Sequence, residues 1–468
     1  MKRAGIVAIL VTAVHIGSAG IGQSEKPNVL FIAVDDLRPE LGCYGKKQIK
    51  SPNIDRLAGN GTRFANAYCN VPVCGASRAS LLMGMRPTET RFVDFNAYAQ
   101  DEAPGRVSLP GHFKDNGYYT LSNGKVFHHV DDMLSSWSEA PWNPVTESGN
   151  PLNYLLPMNI HPSDSAKKRG YPFEAADVAD DAYFDGQIAS KAIADLRRLK
   201  RKGKPFFMAL GFLKPHLPFN APKRYWDLYP PESVRLADNN YPPLNVPPQA
   251  IHNYGELRHY TGIPMDGPIT ETMARELVRG YYACVSYVDA QIGRVLAVLE
   301  ELELTDNTIV VLWGDHGWQL GEHRLWCKHA NFKTSLHAPL IVSVPGRNAG
   351  QRTDALVEFI DIYASLCDLA ALEKPSHLQG TSFAPILDNP ALPGKQAVFS
   401  RFIFGESIKT YRYAYTEWFD KQGNSVARML YDHASDPDEN KNIADVNGMQ
   451  QVVQDLHQQL VQHREKRK

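Results

Sequence analysis

Two kinds of apolar pattern alternate along the chain. Short continuous apolar runs stand at residues 27–34, 205–212, 308–312 and 339–344. Runs of that length without polar alternation predict strands buried on both faces. Residues 63–68 and 118–121 are also strand-like. Between these lie stretches with helical spacing. Ala182, Ile188, Ala189, Ile193, Leu196 and Leu199 form one apolar stripe. Leu277, Tyr281, Cys284, Val285, Val288, Ile292, Val295, Leu299 and Leu302 form another. Both predict amphipathic helices, over 180–199 and 273–302. Ser51 as cap and Pro52 open a short helix to Ala58, and 108–116 and 360–372 predict two more. Strand and helix thus alternate, which predicts an α/β domain around a large, mostly parallel sheet flanked by helices.

The alternation stops at residues 373–395, a boundary marked by Pro375, Gly380, Pro385, Pro390, Pro393 and Gly394. Beyond it, aromatic alternating strands are expected at 397–404, 407–418 and 427–431, then a helix over 446–465. This predicts a catalytic-sized unit over 23–390 and a smaller C-terminal α+β unit over 391–468. Residues 131–173 and 221–268 lack periodicity and read as covering loops that wall a cleft.

Composition excludes several functions. The 468 residues are 43% hydrophobic and 22% charged, with a formal net charge of −1. No long basic block precedes the last few residues, so binding nucleic acid by bulk charge is not expected. Met1–Gly22 reads as a secretory signal: Lys2 and Arg3, an apolar run from Ala4 to Ile16, then Ser18-Ala19-Gly20. That run is too short for a membrane span, and no later stretch is apolar enough for one. A secreted or periplasmic location is expected. The six cysteines are scattered, without a C-x-x-C pair, and do not suggest a disulfide framework.

The candidate chemistry gathers at strand ends. Asp35-Asp36, Lys125 with His128, Lys214 with His216, and Asp315-His316 each follow a predicted strand. Cys74 stands where a loop turns into a helix, with Arg78 one turn later on the same face. There the free N–H groups and the helix dipole favour a thiolate nucleophile, although a buried structural cysteine fits the same pattern. In parallel sheets ligands bind beyond the carboxyl ends of the strands, so these groups face one edge. Asp35, Asp36 and Asp315 suit a hard cation such as Ca²⁺ or Mg²⁺, while His316 would admit softer ions. Arg78, Lys125 and Lys328 suit a tetrahedral oxyanion. His128 and His216 can move protons near neutral pH. Together they describe hydrolysis of a sulfate or phosphate ester.

Cys74-Gly-Ala-Ser-Arg78, with Leu82 and Gly84, resembles the type I sulfatase signature C-x-P-S-R-x-x-x-L-T-G-R. Asn28-Val-Leu-Phe-Ile-Ala-Val-Asp-Asp-Leu-Arg38 is similar to the family's opening strand. Gly124-Lys-Val-Phe-His128, Gly211-Phe-Leu-Lys-Pro-His-Leu-Pro-Phe219 and Asp315-His-Gly-Trp-Gln-Leu-Gly-Glu-His323 resemble the iduronate-2-sulfatase-like branch. The resemblance implies an alkaline-phosphatase-like fold and a sulfated carbohydrate substrate, with 2-O-sulfated uronate foremost. It implies that a maturation enzyme converts Cys74 to 3-oxoalanine (formylglycine). One Ca²⁺ per chain would be bound by Asp35, Asp36, Asp315, His316 and the modified Cys74. Hydrated formylglycine would attack sulfur, His216 would protonate the leaving oxygen, and Lys125 and Lys328 would hold the sulfate. Arg78 would stabilise the hydrated aldehyde, and His128 would assist expulsion of sulfate. Lys214 and Trp318 are weaker candidates for substrate contact. Three positions depart from the signature: Ala76 stands for Pro, Met83 for Thr and Met85 for Arg. A phosphomonoester or phosphonate hydrolase, or a non-catalytic carbohydrate-binding relative, would share much of this pattern.

Overall fold

The computed structural model describes residues 26–146, 149–162 and 169–466. The expected secretory signal, Met1–Gly22, lies outside them. Among the described residues no helix is long and apolar enough to cross a membrane.

Seven strands form the main sheet: β1 Asn28–Val34, β2 Thr62–Tyr68, β3 Tyr119–Gly124, β4 Phe206–Phe212, β5 Thr308–Gly314, β6 Leu340–Ser343 and β7 Gln351–Glu358. Their spatial order is β7-β2-β6-β5-β1-β4-β3. All run parallel except β6, which is antiparallel to both β2 and β5. The central strand β1 shows why its run is continuously apolar. Leu30, Ile32 and Val34 face one core and Val29, Phe31 and Ala33 the other. Burial of each of Val29, Leu30, Phe31, Ile32 and Val34 contributes about 1.5–3 kcal/mol, so none of these five positions tolerates a polar residue cheaply. The helices that build the cores and the site are α1 Pro52–Gly59, α2 Cys74–Met83, α3 Leu109–Asp115, α4 Phe184–Lys202, α5 Gly255–Arg258, α6 Glu271–Glu301, α7 Asp361–Leu369 and α8 Gln450–Lys466. Residues of α1, α4 and α6 fill the first core, and those of α2, α3 and α7 the second. The fold is alkaline-phosphatase-like.

Several expectations change in detail. Ser51 precedes α1 but does not cap it: its hydroxyl accepts from the Gly42 N–H at 2.9 Å and donates to Asp55 at 3.2 Å. Strand β7 was not expected, because polar residues alternate through its first half at the sheet edge and a bulge interrupts it between Thr353 and Leu356. The single strand expected at 407–418 is two, β9 Gly405–Thr410 and β10 Tyr413–Phe419, split where Thr410 Oγ1 accepts from the Tyr413 N–H at 2.9 Å. With β8 Ala397–Phe402 and β11 Ser425–Asp432 they make a four-stranded antiparallel meander. Helix α8 starts at Gln450, four residues later than the apolar pattern suggests, and packs on that sheet through Val453, Leu456 and Leu460.

The meander is tied closely to the main sheet. Arg401 donates its backbone N–H to Asn70 at 2.8 Å, and Ser400 Oγ donates to the Cys69 carbonyl at 2.5 Å. Glu358, the last residue of β7, accepts from Arg86 at 2.5 Å through both oxygens and from the Phe399 N–H at 2.9 Å. The carbonyls of Cys69 and Asn70 lie just ahead of α2, so the C-terminal sheet buttresses the segment that carries Cys74.

Candidate active site

The site is assembled where β1, β3, β4 and β5 end and α2 begins. Asp35 and Asp36 leave β1, and Asp36 takes a left-handed conformation, φ 62°. That conformation is costly for a residue with a Cβ, and it bends the chain directly after β1. Tyr281 of α6 fixes the bend. Its hydroxyl donates to the Asp36 carbonyl at 2.8 Å and accepts from the Arg38 N–H at 2.9 Å. Asp315 leaves β5 and accepts from the Asp36 N–H at 2.9 Å.

Arg78 joins these ends. It is fully buried and reaches Asp315 Oδ2 at 2.9 Å, Asp35 Oδ1 at 3.2 Å and the carbonyls of Lys125 and Val126. Lys125, following β3, places Nζ 2.5 Å from Asp35 Oδ2. The neighbouring strand end allows this only because residue 211 is glycine: a Cβ there would fall 2.0 Å from the Lys125 carbonyl. His216 sits on the loop after β4, which Asp185 of α4 holds by accepting from the N–H groups of Leu213 and Lys214 at 2.6 and 3.1 Å. Lys328 lies 3.3 Å from both Asp36 oxygens, its Nζ 4.9 Å over the Trp318 ring. Cys74 is the first residue of α2, buried among them, and α2 ends at Gly84 in the left-handed conformation. Beside Lys125 and His128 opens a small cavity of about 180 Å³, also lined by His129, Trp137, Asn143 and Leu213. A larger cavity of about 950 Å³, lined by Arg38, Lys46, Arg63, Arg235 and Lys333, contains none of these groups.

Electrostatics separate the members. Burial opposes ionisation of Cys74, but Lys125 and hydrogen bonding to His128 and His316 outweigh it and hold the thiol well below its usual range. Asp35 is held low despite burial by Lys125 and Arg78. Burial pushes Asp36 up to about 6, with Lys328 only partly offsetting it. His316 loses by burial but is driven up to about 9 by Asp315, Cys74 and Asp36.

The donor set fits a divalent metal ion. Oxygens of Asp35, Asp36 and Asp315 lie within 4.8 Å of one another, as do ligand atoms of Cys74, Asp315 and His316. His316 donates Nδ1–H to the Gly317 carbonyl at 2.9 Å, which turns Nε2 into the cluster, 3.4 Å from Asp36 Oδ1 and 3.8 Å from Asp315 Oδ1. A buried imidazole nitrogen whose opposite nitrogen is fixed by a carbonyl, facing carboxylates, is the arrangement of a metal ligand.

Two candidates stand elsewhere than sequence suggests. Lys214 is buried and turns Nζ into the carbonyls of His216 and Pro218, at 2.9 and 2.6 Å, so it shapes the loop under His216. Trp318 is 1% exposed and stacks on Tyr281 and edge-on to Phe219, so it packs beneath Lys328. Conversely, the stretch 221–268 contains α5, and Glu256 on it reaches Lys328 at 3.0 Å and His216 at 3.1 Å. Nothing in the local sequence marks Glu256, because its partners are distant in the chain.

With this geometry in view, likeness to known proteins is informative. The model of the sulfatase family matches residues 27–372, and that of the C-terminal region of N-sulphoglucosamine sulphohydrolase matches residues 321–466. Iduronate 2-sulfatase of Mus musculus is 37% identical over 410 residues, covering 79% of this chain and 73% of the relative. That of Homo sapiens is 35% identical over 470 residues, covering 84% of each. Among solved structures, a protein bound to its substrate D-glucosamine-2-N,6-O-disulfate superposes with a TM-score of 0.77 at 22% identity, covering 95% of this chain and 98% of that one. The phosphonate monoester hydrolase of Silicibacter pomeroyi superposes with a TM-score of 0.75 at 22% identity, covering 94% and 96%. At such identities these two speak for the fold alone. The chain belongs to the sulfatase family, within its iduronate-2-sulfatase-like branch, and is a sulfuric ester hydrolase.

Proposed function

We propose that the protein releases sulfate from a sulfated sugar of a glycosaminoglycan or similar polysaccharide fragment, with 2-O-sulfated uronate the leading substrate. The observation that carries this is the meeting of Cys74, at the start of α2, with three carboxylates, His316 and two lysines at the carboxyl edge of one sheet. Likeness to iduronate 2-sulfatases supports the choice of sugar.

Asp35, Asp36, Asp315 and His316, with residue 74, would hold one Ca²⁺. When bound, the ion neutralises the carboxylates and polarises a sulfate oxygen. Residue 74, converted from cysteine to formylglycine, would supply a hydroxyl nucleophile in its hydrated form. The remaining residues bind and move protons. Lys125 and Lys328 hold the sulfate oxygens through their ammonium groups. His216 delivers a proton from Nε2 to the leaving oxygen. Arg78, locked between Asp35 and Asp315, keeps positive charge beside residue 74. His128 accepts a proton from the residue-74 side chain as sulfate departs. Met1–Gly22 as a signal would send the enzyme to the periplasm or outside the cell, and a maturation enzyme would be its partner beforehand.

Two measurements test this. Peptide mass spectrometry across Cys74, on protein from its native host, is expected to show the aldehyde; an unmodified thiol throughout would remove the proposed nucleophile. Parallel assays on aryl sulfate and aryl phosphate are expected to favour sulfate. Preference for phosphate would move the enzyme to the phosphoester reading that the same cations allow.

A further inference from the structure

The donor atoms at the carboxyl edge of the sheet sort into two sets of different hardness. One is oxygen only, from the carboxylates of Asp35, Asp36 and Asp315. The other is mixed: the Cys74 sulfur, a ring nitrogen of His316 and a carboxylate oxygen of Asp315, all within 4.8 Å of one another. Asp315 belongs to both. The first set suits Ca²⁺. The second suits a different ion. Thiolate, imidazole and carboxylate together are the donors of Zn²⁺, a borderline-soft ion, whereas a hard ion such as Ca²⁺ takes oxygen.

The mixed set is held as ligands are held. All three residues are buried. Cys74 opens α2, and Asp315 and His316 follow β5. Ser77, in the first turn of α2, donates its hydroxyl to the Asp315 carbonyl at 2.5 Å and so pins the helix start to the strand end. The Asp315 carboxylate is oriented by Arg78 and by the Asp36 N–H, each at 2.9 Å. His316 Nδ1 is tied to the Gly317 carbonyl, which commits Nε2 to the cluster. Outer partners of this kind fix the direction of metal ligands. Among the described residues no other cysteine stands in such a donor set.

We infer that the chain as synthesised, with Cys74 still a thiol, carries a Zn²⁺ site made of Cys74 Sγ, His316 Nε2 and the Asp315 carboxylate. The metal–sulfur bond forms as the thiol releases its proton to solvent. Water or Asp36, whose Oδ1 lies 3.4 Å from His316 Nε2, takes the fourth position. Residue 74 thereby sets the metal preference of the cavity: sulfur gives it to Zn²⁺, and oxygen in its place leaves the hard set to Ca²⁺. The second half rests on the proposed function, in which residue 74 loses its sulfur; the Zn²⁺ site belongs to the unconverted chain.

The test uses the full chain made without conversion and stripped of metal, with the cysteine at 74 confirmed by peptide mass spectrometry. Co²⁺ stands in for Zn²⁺ because its bond to sulfur absorbs light. A sulfur-to-cobalt charge-transfer band is expected, lost on addition of Zn²⁺ and absent from Cys74→Ser. By calorimetry, the ratio of Zn²⁺ to Ca²⁺ affinity is expected to fall by about 10²-fold or more in Cys74→Ser. His316→Gln keeps the thiol and is expected to weaken Zn²⁺ binding by a similar factor, which keeps the site testable if the serine variant does not fold. Absence of the cobalt–sulfur band, the same band in Cys74→Ser, or Zn²⁺ binding that neither variant weakens would overturn the inference. Sulfate hydrolysis enters none of these measurements, so loss of the Zn²⁺ site and loss of the sulfatase reading are told apart.

Discussion

Two of the places where the protein buries charge are built on different principles. Around Glu358 every charged group closes on a partner. Arg86 meets Glu358 at 2.5 Å through both oxygens, and Lys395 pairs with Glu358 and, at 2.6 Å, with Asp361. The N–H groups of Phe399, Glu358 and Thr381 satisfy the remaining carboxylate positions at 2.9, 2.9 and 2.7 Å. Around Asp35, Asp36 and Asp315 the network is equally buried but incomplete. His128 Nδ1 is buried without a hydrogen-bond partner among the described residues, and His316 Nε2 stands 3.4 and 3.8 Å from the Asp36 and Asp315 carboxylates. The first network is a tie between β7, the Arg86 loop and the C-terminal strands. The second is a receptor under the proposed function, its open positions taking a cation and a proton from residue 74. Burial alone does not separate structural charge from functional charge. Completeness does.

That contrast breaks first, and most severely, at Cys74. In Cys74→Ala, sulfate release is expected to fall by about 10⁴-fold or more, with the melting temperature hardly moved; retained turnover in a stopped assay would undo the receptor reading. Glu358→Ala is the mirror experiment. It strands Arg86 and Lys395 and is expected to cost about 3–5 kcal/mol of stability, measured by denaturant unfolding. The kcat/KM of the folded fraction should not change. Calcium comes next. Chelation should abolish turnover, and Ca²⁺ at a hundredfold excess over its Kd should stabilise the wild type by about 2.7 kcal/mol. Asp36→Asn should lose most of that rise, whereas Glu358→Ala should keep it; equal rises in all three proteins would place the ion elsewhere.

Acid sharpens the comparison further. Burial disfavours the Glu358 carboxylate, but Arg86 and Lys395 overcome this and hold its pKa below the ordinary value. Its stabilising share is therefore complete above the unfolded value, about 4.3, and is lost as pH falls from there through the folded value. Below that pH, wild-type stability should decline more steeply than that of Glu358→Gln, in melting curves taken pH by pH. The smallest effect belongs to Lys214→Met. It removes two hydrogen bonds to carbonyls while keeping the apolar stem, so about 1–2 kcal/mol of stability should go. KM for the sugar should stay, since Nζ spends its hydrogen bonds on carbonyls of its own loop.

Much of this arrangement was legible in the chain. Continuous apolar runs placed β1, β4 and β5, and the convergence of Asp35, Lys125, His216 and Asp315 follows from where those strands and β3 end. The periodic stripe of α6 was plain because one face of a long helix must bury itself. Strand β7 was hidden by its polar alternation at an edge, and the split of β9 from β10 by a turn built on Thr410 without glycine or proline. Glu256 and Tyr281 were out of reach for another reason. Their partners stand 72 residues away at Lys328 and 245 residues away at Asp36, and no local pattern encodes a meeting at that separation. Lys214 shows the converse: an unusual lysine beside a functional histidine invites a catalytic role, yet its carbonyl partners make it part of the loop.

The burial of α2 bears finally on chronology. All ten of its residues, from Cys74 to Met83, are buried. The carboxylate of Asp315 that locks Arg78 lies 237 residues further along the chain. At about 5–20 residues per second of synthesis, the segment waits roughly 10–50 seconds before that lock can exist. Under the proposed function, a maturation enzyme would have to meet Cys74 within that interval, or in a chain still held unfolded, before this helix is buried.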